Sequence, residues 1–452
     1  MKLFLRTLAG FLVLACLGSV LAIGAGVSEQ SVAGALDETT TTTSSKATTT
    51  TAAPTTTTKP TTTTTTTTTI RSERTSTLGS IATPGVSISE IPAFGESMVQ
   101  VATGVAAIIG VGPNPSEAPV LVTSLGQFQE LFPDTSQSLE ASVQQFFTNG
   151  GSQALIKGAS GSNSSALLSA IGESLPVGAD LLIVADLYAL PQSEWSSVAV
   201  AMGRAASASL AIALVDPPQS VVAQVALPTG SLSALTSLGT ELRAASGAAA
   251  RSILLFASNV VNESGSTLPV SPYFAGLIAA TDVNDGFWNA PNGFGNTFSA
   301  VRPQFASTRP QDGLLLESGM SPLMYIPGRG TAVLSDRLLS GPSDYLSVER
   351  TLNTIQATIN VGMQSFVFAA NDATTWATVT QAISGYLTGL FTQGALQGSA
   401  ASDAFSVACG LGSTMTSDDV LNGFMVISVA VAIEHPGEFD RMTFTQTMGT
   451  SD

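Results

Sequence analysis

Two side chains of this chain suit acid–base or nucleophilic chemistry near neutral pH, His435 and Cys409. His435 is the single histidine, and it stands before Pro436 directly after an apolar run, where a strand-to-loop turn is expected. A cysteine nucleophile needs a nearby cation or a helix start to lower its pKa, and residues 395–420 contain no lysine, arginine or histidine. We therefore predict that Cys409 is a small buried residue and that neither side chain is catalytic.

Two glycine pairs resemble the start of a phosphate-binding loop, Gly110-Val-Gly112 and Gly328-Arg-Gly330. Both lack the third glycine and the Lys-Ser/Thr pair that hold a nucleotide phosphate, so nucleotide binding is not expected. The sequence also contains no Gly-x-Ser-x-Gly nucleophile elbow. Chemistry that uses only carboxylates or only serines stays open as an alternative.

Four aspartates could form acidic pairs for catalysis or calcium binding: Asp282, Asp285, Asp418 and Asp419. They lie in turn-rich contexts, where an aspartate carboxylate commonly caps free backbone N–H groups. Capping is therefore the preferred interpretation. We predict no catalytic residue, no metal ligand and no cofactor, and we expect that the protein is not an enzyme.

Residues 1–26 have the pattern of a signal-type or membrane-anchor segment. Lys2 and Arg6 precede an apolar run from Leu8 to Leu21, and small residues follow it. Val13-Leu-Ala-Cys16 resembles a bacterial lipoprotein acylation box. Because Cys16 lies in the N-terminal apolar segment, a disulfide with Cys409 is not expected. The pattern suggests export or membrane anchoring, and an apolar N-terminal extension is the alternative.

Residues 27–80 form a linker of low complexity. Threonine occupies 22 of the 31 positions from 39 to 69. Such a segment has almost no apolar surface to bury, so its burial cannot offset the entropy that ordering would cost. The composition predicts a disordered N-terminal Thr-rich stalk.

The composition of the remaining chain is globular and acidic. From residue 80 onward it holds 10 basic and 28 acidic residues, a net charge of −18. Nucleic-acid binding depends on neutralising phosphates with lysine and arginine, and anionic membranes attract basic segments. The charge therefore disfavours both partners, and membrane contact is expected only through the N-terminal segment.

Apolar runs of strand length alternate with helical patterns in the body. Short runs at 154–157, 181–185, 210–215 and 253–256 predict buried strands, and 101–111 reads as another. Segments near 125–132, 139–147, 193–206 and 231–245 are helix-like, and Phe366-Val-Phe368 reads as a short strand. This alternation is typical of an α/β fold with mixed sheets flanked by helices.

Two later helices show one apolar stripe each at the helical period. The first stripe comprises Tyr345, Val348, Leu352, Ile355 and Ile359, and the second comprises Trp376, Val379, Ile383, Leu387, Leu390 and Phe391. We expect Trp376 and Trp288 to anchor the core. Strands follow at 425–432 and 442–446.

Several segments in order resemble the contractile tail sheath family of phage tails and related injection machines. They include Pro84-Gly-Val-Ser-Ile-Ser-Glu-Ile-Pro92, Asp282 with Gly286 and Trp288, Gly328-Arg-Gly330, Tyr345-Leu-Ser-Val-Glu-Arg350, and Pro436-Gly-Glu-Phe439 before Met442-Thr-Phe-Thr-Gln446. The resemblance covers roughly residues 84–448. The family does not normally carry a signal-type segment or a Thr-rich stalk, so the usual cytoplasmic assembly is not implied for this chain.

The resemblance implies a structural subunit that polymerises by strand exchange around an inner tube and contracts to drive that tube through a target envelope. It implies a sheath N-terminal and middle α/β domain at 81–340 and a C-terminal domain at 341–452. The implied partners are further copies of the chain in stacked hexameric rings, the inner tail tube protein and a baseplate, within a phage tail or injection particle. The subunit-interface strands would comprise Val86, Ser87, Ile88, Ser89, Glu90, Ile91, Met442, Thr443, Phe444, Thr445 and Gln446.

The sequence is also compatible with a second class of protein. A signal-type segment, a Thr-rich stalk and an α/β body also suit an exported, stalked surface protein or a ligand-binding lipoprotein. Such a protein would be monomeric with a ligand cleft, whereas a sheath subunit would polymerise.

Overall fold

The computed structural model describes residues 98–113, 116–298 and 300–449. The strands are β1 (Ala106–Val111), β2 (Val120–Val122), β3 (Ala154–Ala159), β4 (Leu181–Val184), β5 (Ile212–Val215), β6 (Ile253–Phe256), β7 (Val260–Asn262), β8 (Thr267–Leu268), β9 (Val301–Pro303), β10 (Met320–Ser321), β11 (Leu323–Ile326), β12 (Gly330–Val333), β13 (Phe405–Cys409), β14 (Phe424–Val431) and β15 (Asp440–Thr447). The signal-type segment 1–26, the linker 27–80 and the arm 86–91 lie outside the described residues.

In the part of the chain that the structure describes, twelve α-helices connect or cover these strands. They are α1 (Leu125–Leu131), α2 (Gln137–Thr148), α3 (Ser164–Ile171), α4 (Gln192–Ala208), α5 (Gln219–Val225), α6 (Ser233–Ser246), α7 (Ser271–Asn284), α8 (Arg309–Glu317), α9 (Leu346–Met363), α10 (Ala373–Thr392), α11 (Ala401–Ala404) and α12 (Ser417–Leu421). Within the described ranges, none of them is long and apolar enough to cross a membrane.

A seven-stranded sheet in the order β10-β6-β5-β4-β1-β3-β2 forms the centre of the body. All neighbours are parallel except β2, which pairs antiparallel with β3 at one edge. Parallel strands need helical crossovers, and the helices therefore cover both faces of the sheet.

Alternate residues of each central strand contribute side chains to two apolar layers, one on each face of the sheet. Ala107 and Ile109 of β1 face the layer that contains Trp195 of α4, whereas Ala106 and Ile108 face the layer that contains Phe274 of α7. Successive side chains of a strand point to opposite faces, so a strand covered on both sides reads as a continuous apolar run. This explains why apolar runs located the central strands in the sequence.

A third apolar layer forms around the last hundred residues. Helices α9 and α10 pack against the three-stranded antiparallel sheet β13-β14-β15. Ile355 and Ile383 from the two helices meet Ile427 and Phe444 from the sheet. Leu346 at the start of α9 belongs instead to the layer of the central sheet, so α9 connects the two layers.

The predicted mixed α/β fold is confirmed, with the central strands at 154–159, 181–184, 212–215 and 253–256 and the two later helices in place. The strand predicted at 101–111 begins only at Ala106, because Gly104 at φ +71° interrupts the extended backbone. A substituent on Gly104 would also lie 2.8 Å from the Cα atom of Ala279.

The strand predicted at Phe366-Val-Phe368 is wrong. The chain forms a short 3₁₀ turn at Gln364–Phe366, and Phe368 is exposed. The segment must reverse direction between α9 and α10, and Asp372 caps α10 by accepting from the N–H groups of Thr374 and Thr375. A tight connection of this kind leaves no length for a paired strand.

The tryptophans predicted to anchor the core are only half-buried. Trp376 and Trp288 lie at the margin of the C-terminal layer, and Trp376 Nε1 donates to Asn371 at 2.8 Å. Trp195 is the fully buried tryptophan, and its Nε1 donates to the carbonyl of Asp216 at 2.8 Å.

Asp216 follows β5 at the carboxyl end of the sheet and is buried. One carboxylate oxygen accepts from the N–H groups of Val270 and Ser271 at 2.6 and 3.1 Å and so caps α7. The other carboxylate oxygen has no partner among the described residues. Burial outweighs these hydrogen bonds and raises the pKa of Asp216 to about 6.

We predict that Asp216 makes stability fall as pH rises between about 4 and 6. The unfolded carboxyl ionises first, so the stabilisation is complete below the unfolded pKa and is lost as pH passes the folded pKa. A shift of about two units corresponds to about 3 kcal/mol. Urea unfolding at pH 4, 5 and 7 should show a smaller pH dependence in Asp216→Asn than in the unmodified chain. The exposed Asp418→Asn is the control, and an unchanged pH dependence in Asp216→Asn would contradict the prediction.

Candidate functional site

The residues most suited to catalysis do not converge on one site. His435 is exposed in the connection between β14 and β15, as predicted for a turn. Cys409 ends β13 and is half-buried, and burial raises the pKa of its thiol to about 11. A thiol with a raised pKa holds little thiolate at neutral pH and is a poor nucleophile. Across the described ranges, no group of three or more His, Cys, Asp or Glu side chains is placed to hold a metal ion.

The glycine pairs do not form phosphate loops. Gly110 lies inside β1, and Gly328 occupies the turn between β11 and β12 at φ +77°. Neither glycine pair opens directly into a helix, so neither presents helix N–H groups to a phosphate.

The capping interpretation of the four aspartates is correct for Asp419. Its carboxylate accepts from the N–H and Oγ1 of Thr416 at 2.8 and 2.7 Å and starts α12. Asp418 is exposed in the same first turn. Asp285 is exposed at the end of α7, where its backbone N–H closes the helix and its carboxylate takes no part.

Asp282 is the exception, and its predicted role as a turn cap is wrong. It lies within α7, and its carboxylate accepts from both terminal nitrogens of Arg350 at 2.8 and 2.5 Å. The second of these nitrogens also donates to Asp180 at 2.9 Å. Arg350 and Asp282 are each 3% exposed. The three side chains form a buried ionic cluster between α9, α7 and the start of β4.

The backbone completes the cluster around Asp180. The N–H groups of Gly104 and Val105, directly before β1, donate to its two carboxylate oxygens at 3.0 and 2.7 Å. Burial raises the pKa of Asp180, although the guanidinium opposes that shift. Burial also disfavours the charge on Arg350, but the carboxylates of Asp282 and Asp180 outweigh burial and raise the pKa of Arg350. The cluster is a structural connection and presents no reactive group.

The predicted interface residues 442–446 lie in β15, the outer strand of the C-terminal sheet. β15 pairs antiparallel with β14 from Asp440↔Val431 to Thr447↔Phe424. Phe444 is buried in the C-terminal layer, whereas Thr443 and Thr445 are exposed. The prediction that these residues contact a neighbouring subunit stays a prediction.

The hydrogen-bond phase of β15 shows which backbone groups face outward. Just beyond the strand, Met448 N–H donates to the carbonyl of Gly423 at 2.7 Å. Hydrogen-bonded and non-bonded pairs alternate along an antiparallel ladder, so Phe444 and Gln446 bond to β14. Thr443 and Thr445 then direct their N–H and C=O groups to the opposite edge, where no described strand pairs with them.

Three solved structures are closely similar in fold. The chain matches a sheath subunit from the PVC extracellular contractile injection system in its contracted state, with a TM-score of 0.62 at 23% identity, over 82% of this chain and 99% of that one. It matches the contracted helical sheath of the anti-feeding prophage with a TM-score of 0.59 at 26% identity, over 81% of this chain and 100% of that one. It matches a chain of the anti-feeding prophage baseplate with a TM-score of 0.59 at 25% identity, over 82% of this chain and 100% of that one.

The fold is that of contractile tail sheath proteins. No family model and no curated protein matches the sequence, so the similarity rests on the fold. The similar structures are sheath and baseplate parts of contractile injection systems. Its features of interest are therefore the open strand edge and the ionic cluster that holds α9.

We predict that Arg350→Met lowers the free energy of unfolding by about 3–5 kcal/mol, because it leaves two buried carboxylates without their cation. Urea unfolding followed by circular dichroism measures the change. Arg204→Met, at an exposed position of α4, is the control and should change stability by less than about 0.5 kcal/mol. An Arg350→Met chain as stable as the control would show that the cluster does not hold α9.

Proposed function

We propose that this chain is the polymerising subunit of a contractile sheath and that neighbours join through the open edge of β15. The outward N–H and C=O groups of Thr443 and Thr445 carry this proposal, because an exposed edge is a template for another strand. The match to sheath structures, which covers 82% and 81% of this chain and nearly all of each of those chains, supports the assignment.

The added strand would be residues 86–91 of a neighbouring copy. Its residues 86–89 alternate apolar and polar side chains, so Val86 and Ile88 can enter the C-terminal layer while backbone hydrogen bonds extend the sheet. Donor and acceptor surfaces differ, so the contact is head-to-tail and propagates into a helical polymer.

A helical polymer of this kind would form a sleeve around an inner tube. Hexameric rings of the chain stack around an inner tail tube, attach to a baseplate and contract to drive the tube through a target envelope. Contraction is then a change between two packings of nearly rigid subunits joined by flexible strands. The division into 81–340 and 341–452, the stalk at 27–80, and export or anchoring through 1–26 belong to the same proposal.

We predict that Thr445→Pro abolishes polymerisation of the full chain but leaves the subunit folded. Proline removes an N–H group that faces the open edge, not the ladder with β14, and proline is tolerated at such edge positions. Deleting 84–91 should have the same effect. Sedimentation and negative-stain microscopy measure assembly, and thermal unfolding reports the fold.

Thr445→Ala is the matched control, because it loses the same side chain but keeps the N–H group. It should assemble like the unmodified chain. Tubes formed by the Thr445→Pro chain would show that strand addition does not use this edge, and an unmodified chain that stays monomeric would refute the sheath proposal.

A further inference from the structure

A cleft on the body is lined by two arginines and one glutamate, Glu263. It has a volume of about 340 Å³ and lies between β7, β9 and the β11–β12 hairpin. Arg302 and Arg329 line it, and neither forms an ion pair with any described residue. Cations are scarce in this body, since residues from 80 onward hold only 10 of them against 28 acidic residues. Glu263 forms no ion pair with either arginine, so the cleft keeps a net positive charge that a carboxylate from outside the subunit can meet.

Both guanidinium groups are held in place before any ligand arrives. Arg302 stacks over the ring of Tyr325 at 4.3 Å, and Arg329 donates to the carbonyl of Phe294 at 3.2 Å. Arg329 also ends a Pro-Gly turn in which its N–H donates to Ile326 at 3.0 Å. Groups that are already ordered lose less entropy on binding.

The surroundings resemble a protein interface. Phe294 is 60% exposed beside Arg329, and Tyr325 lies beneath Arg302. Arginine and aromatic residues are enriched at protein–protein contacts, and hot spots are built from them. A guanidinium fork matches a carboxylate with two hydrogen bonds, so the expected ligand is a carboxylate beside an apolar side chain.

The β14–β15 connection presents such a group. Residues 434–440 are all exposed, and Glu434 and Glu438 form no ion pair among the described residues. Phe439, 37% exposed, stands beside Glu438. The tip is rigid, because Pro436 and Gly437, at φ +81°, form a turn closed by Glu438 N–H donating to His435 at 3.2 Å.

We propose that the Arg302–Arg329 cleft of one subunit binds the Glu434–Glu438 tip of a second copy. This inference rests on the proposed function, because the tip leads directly into β15, whose edge would face a neighbour. Complementary charge on rigid elements would set the register between copies and exclude wrong pairings, which would meet like charges. The contact would weaken with salt, because the ions are exposed.

Charge reversal in the full chain tests the inference. Arg302→Glu with Arg329→Glu, and separately Glu434→Arg with Glu438→Arg, should each raise the protein concentration needed for assembly by about tenfold or more. All four substitutions in one chain should restore assembly, because the reversed cleft then meets a reversed tip. Sedimentation at low and high salt measures the threshold, and equal melting temperatures confirm folding.

Arg204→Glu with Arg309→Glu is the matched control, since it makes the same charge change at two other exposed arginines and should leave the threshold unchanged. A cleft-reversed chain that assembles like this control overturns the inference and leaves the sheath proposal standing. If the variant with all four substitutions still fails to assemble, the cleft does not bind this tip, and the inference is also overturned. An unmodified chain that never assembles refutes both.

Discussion

One buried cation connects the C-terminal helices to the parallel sheet. The guanidinium of Arg350 cannot lose its proton in a protein, so burying it at 3% exposure requires carboxylates within contact distance. Asp282 and Asp180 provide these carboxylates from α7 and from the start of β4. A backbone N–H group before β1 donates a further hydrogen bond to Asp180. Three separate parts of the chain must therefore be in place for α9 to pack in this position.

Such a cluster contributes more to specificity than to net stability. Desolvating the ions offsets much of their attraction, but removing one partner leaves a buried charge and is costly. Arg350 Nε has no partner among the described residues, which adds the desolvation cost of an unpaired buried donor. The cluster thus favours one position of α9, and the C-terminal sheet is positioned by packing against α9. In a sheath that contracts by repacking whole subunits, this would confine movement to the connections between subunits.

The apolar pattern of the sequence was enough to predict the central strands and the helices α9 and α10, because burial on both faces or on one stripe leaves a periodic signal. It could not predict the cluster. Asp180 is separated from Arg350 by 170 residues and Asp282 by 68, and periodicity contains no information about such pairs. The turn-like sequence around Asp282 favoured a cap, although tertiary pairing decides its role. The resemblance to sheath proteins included Asp282 and Arg350 among its motifs but assigned neither a role.

The polar residues of β15 limit unspecific pairing at its open edge. An unpaired strand edge favours indiscriminate pairing, yet the residues that face this edge, Arg441, Thr443, Thr445 and Thr447, are polar and exposed. The buried positions on the same strand, such as Phe444, are already packed in their own subunit. A strand that adds here gains backbone hydrogen bonds but little apolar burial from β15 itself. Under the proposed strand addition, tight binding then needs apolar side chains from the added segment, and Val86 and Ile88, which alternate with Ser87 and Ser89, can supply them. If the arm adds as proposed, specificity would come from its side chains, because the edge itself offers mainly backbone hydrogen bonds.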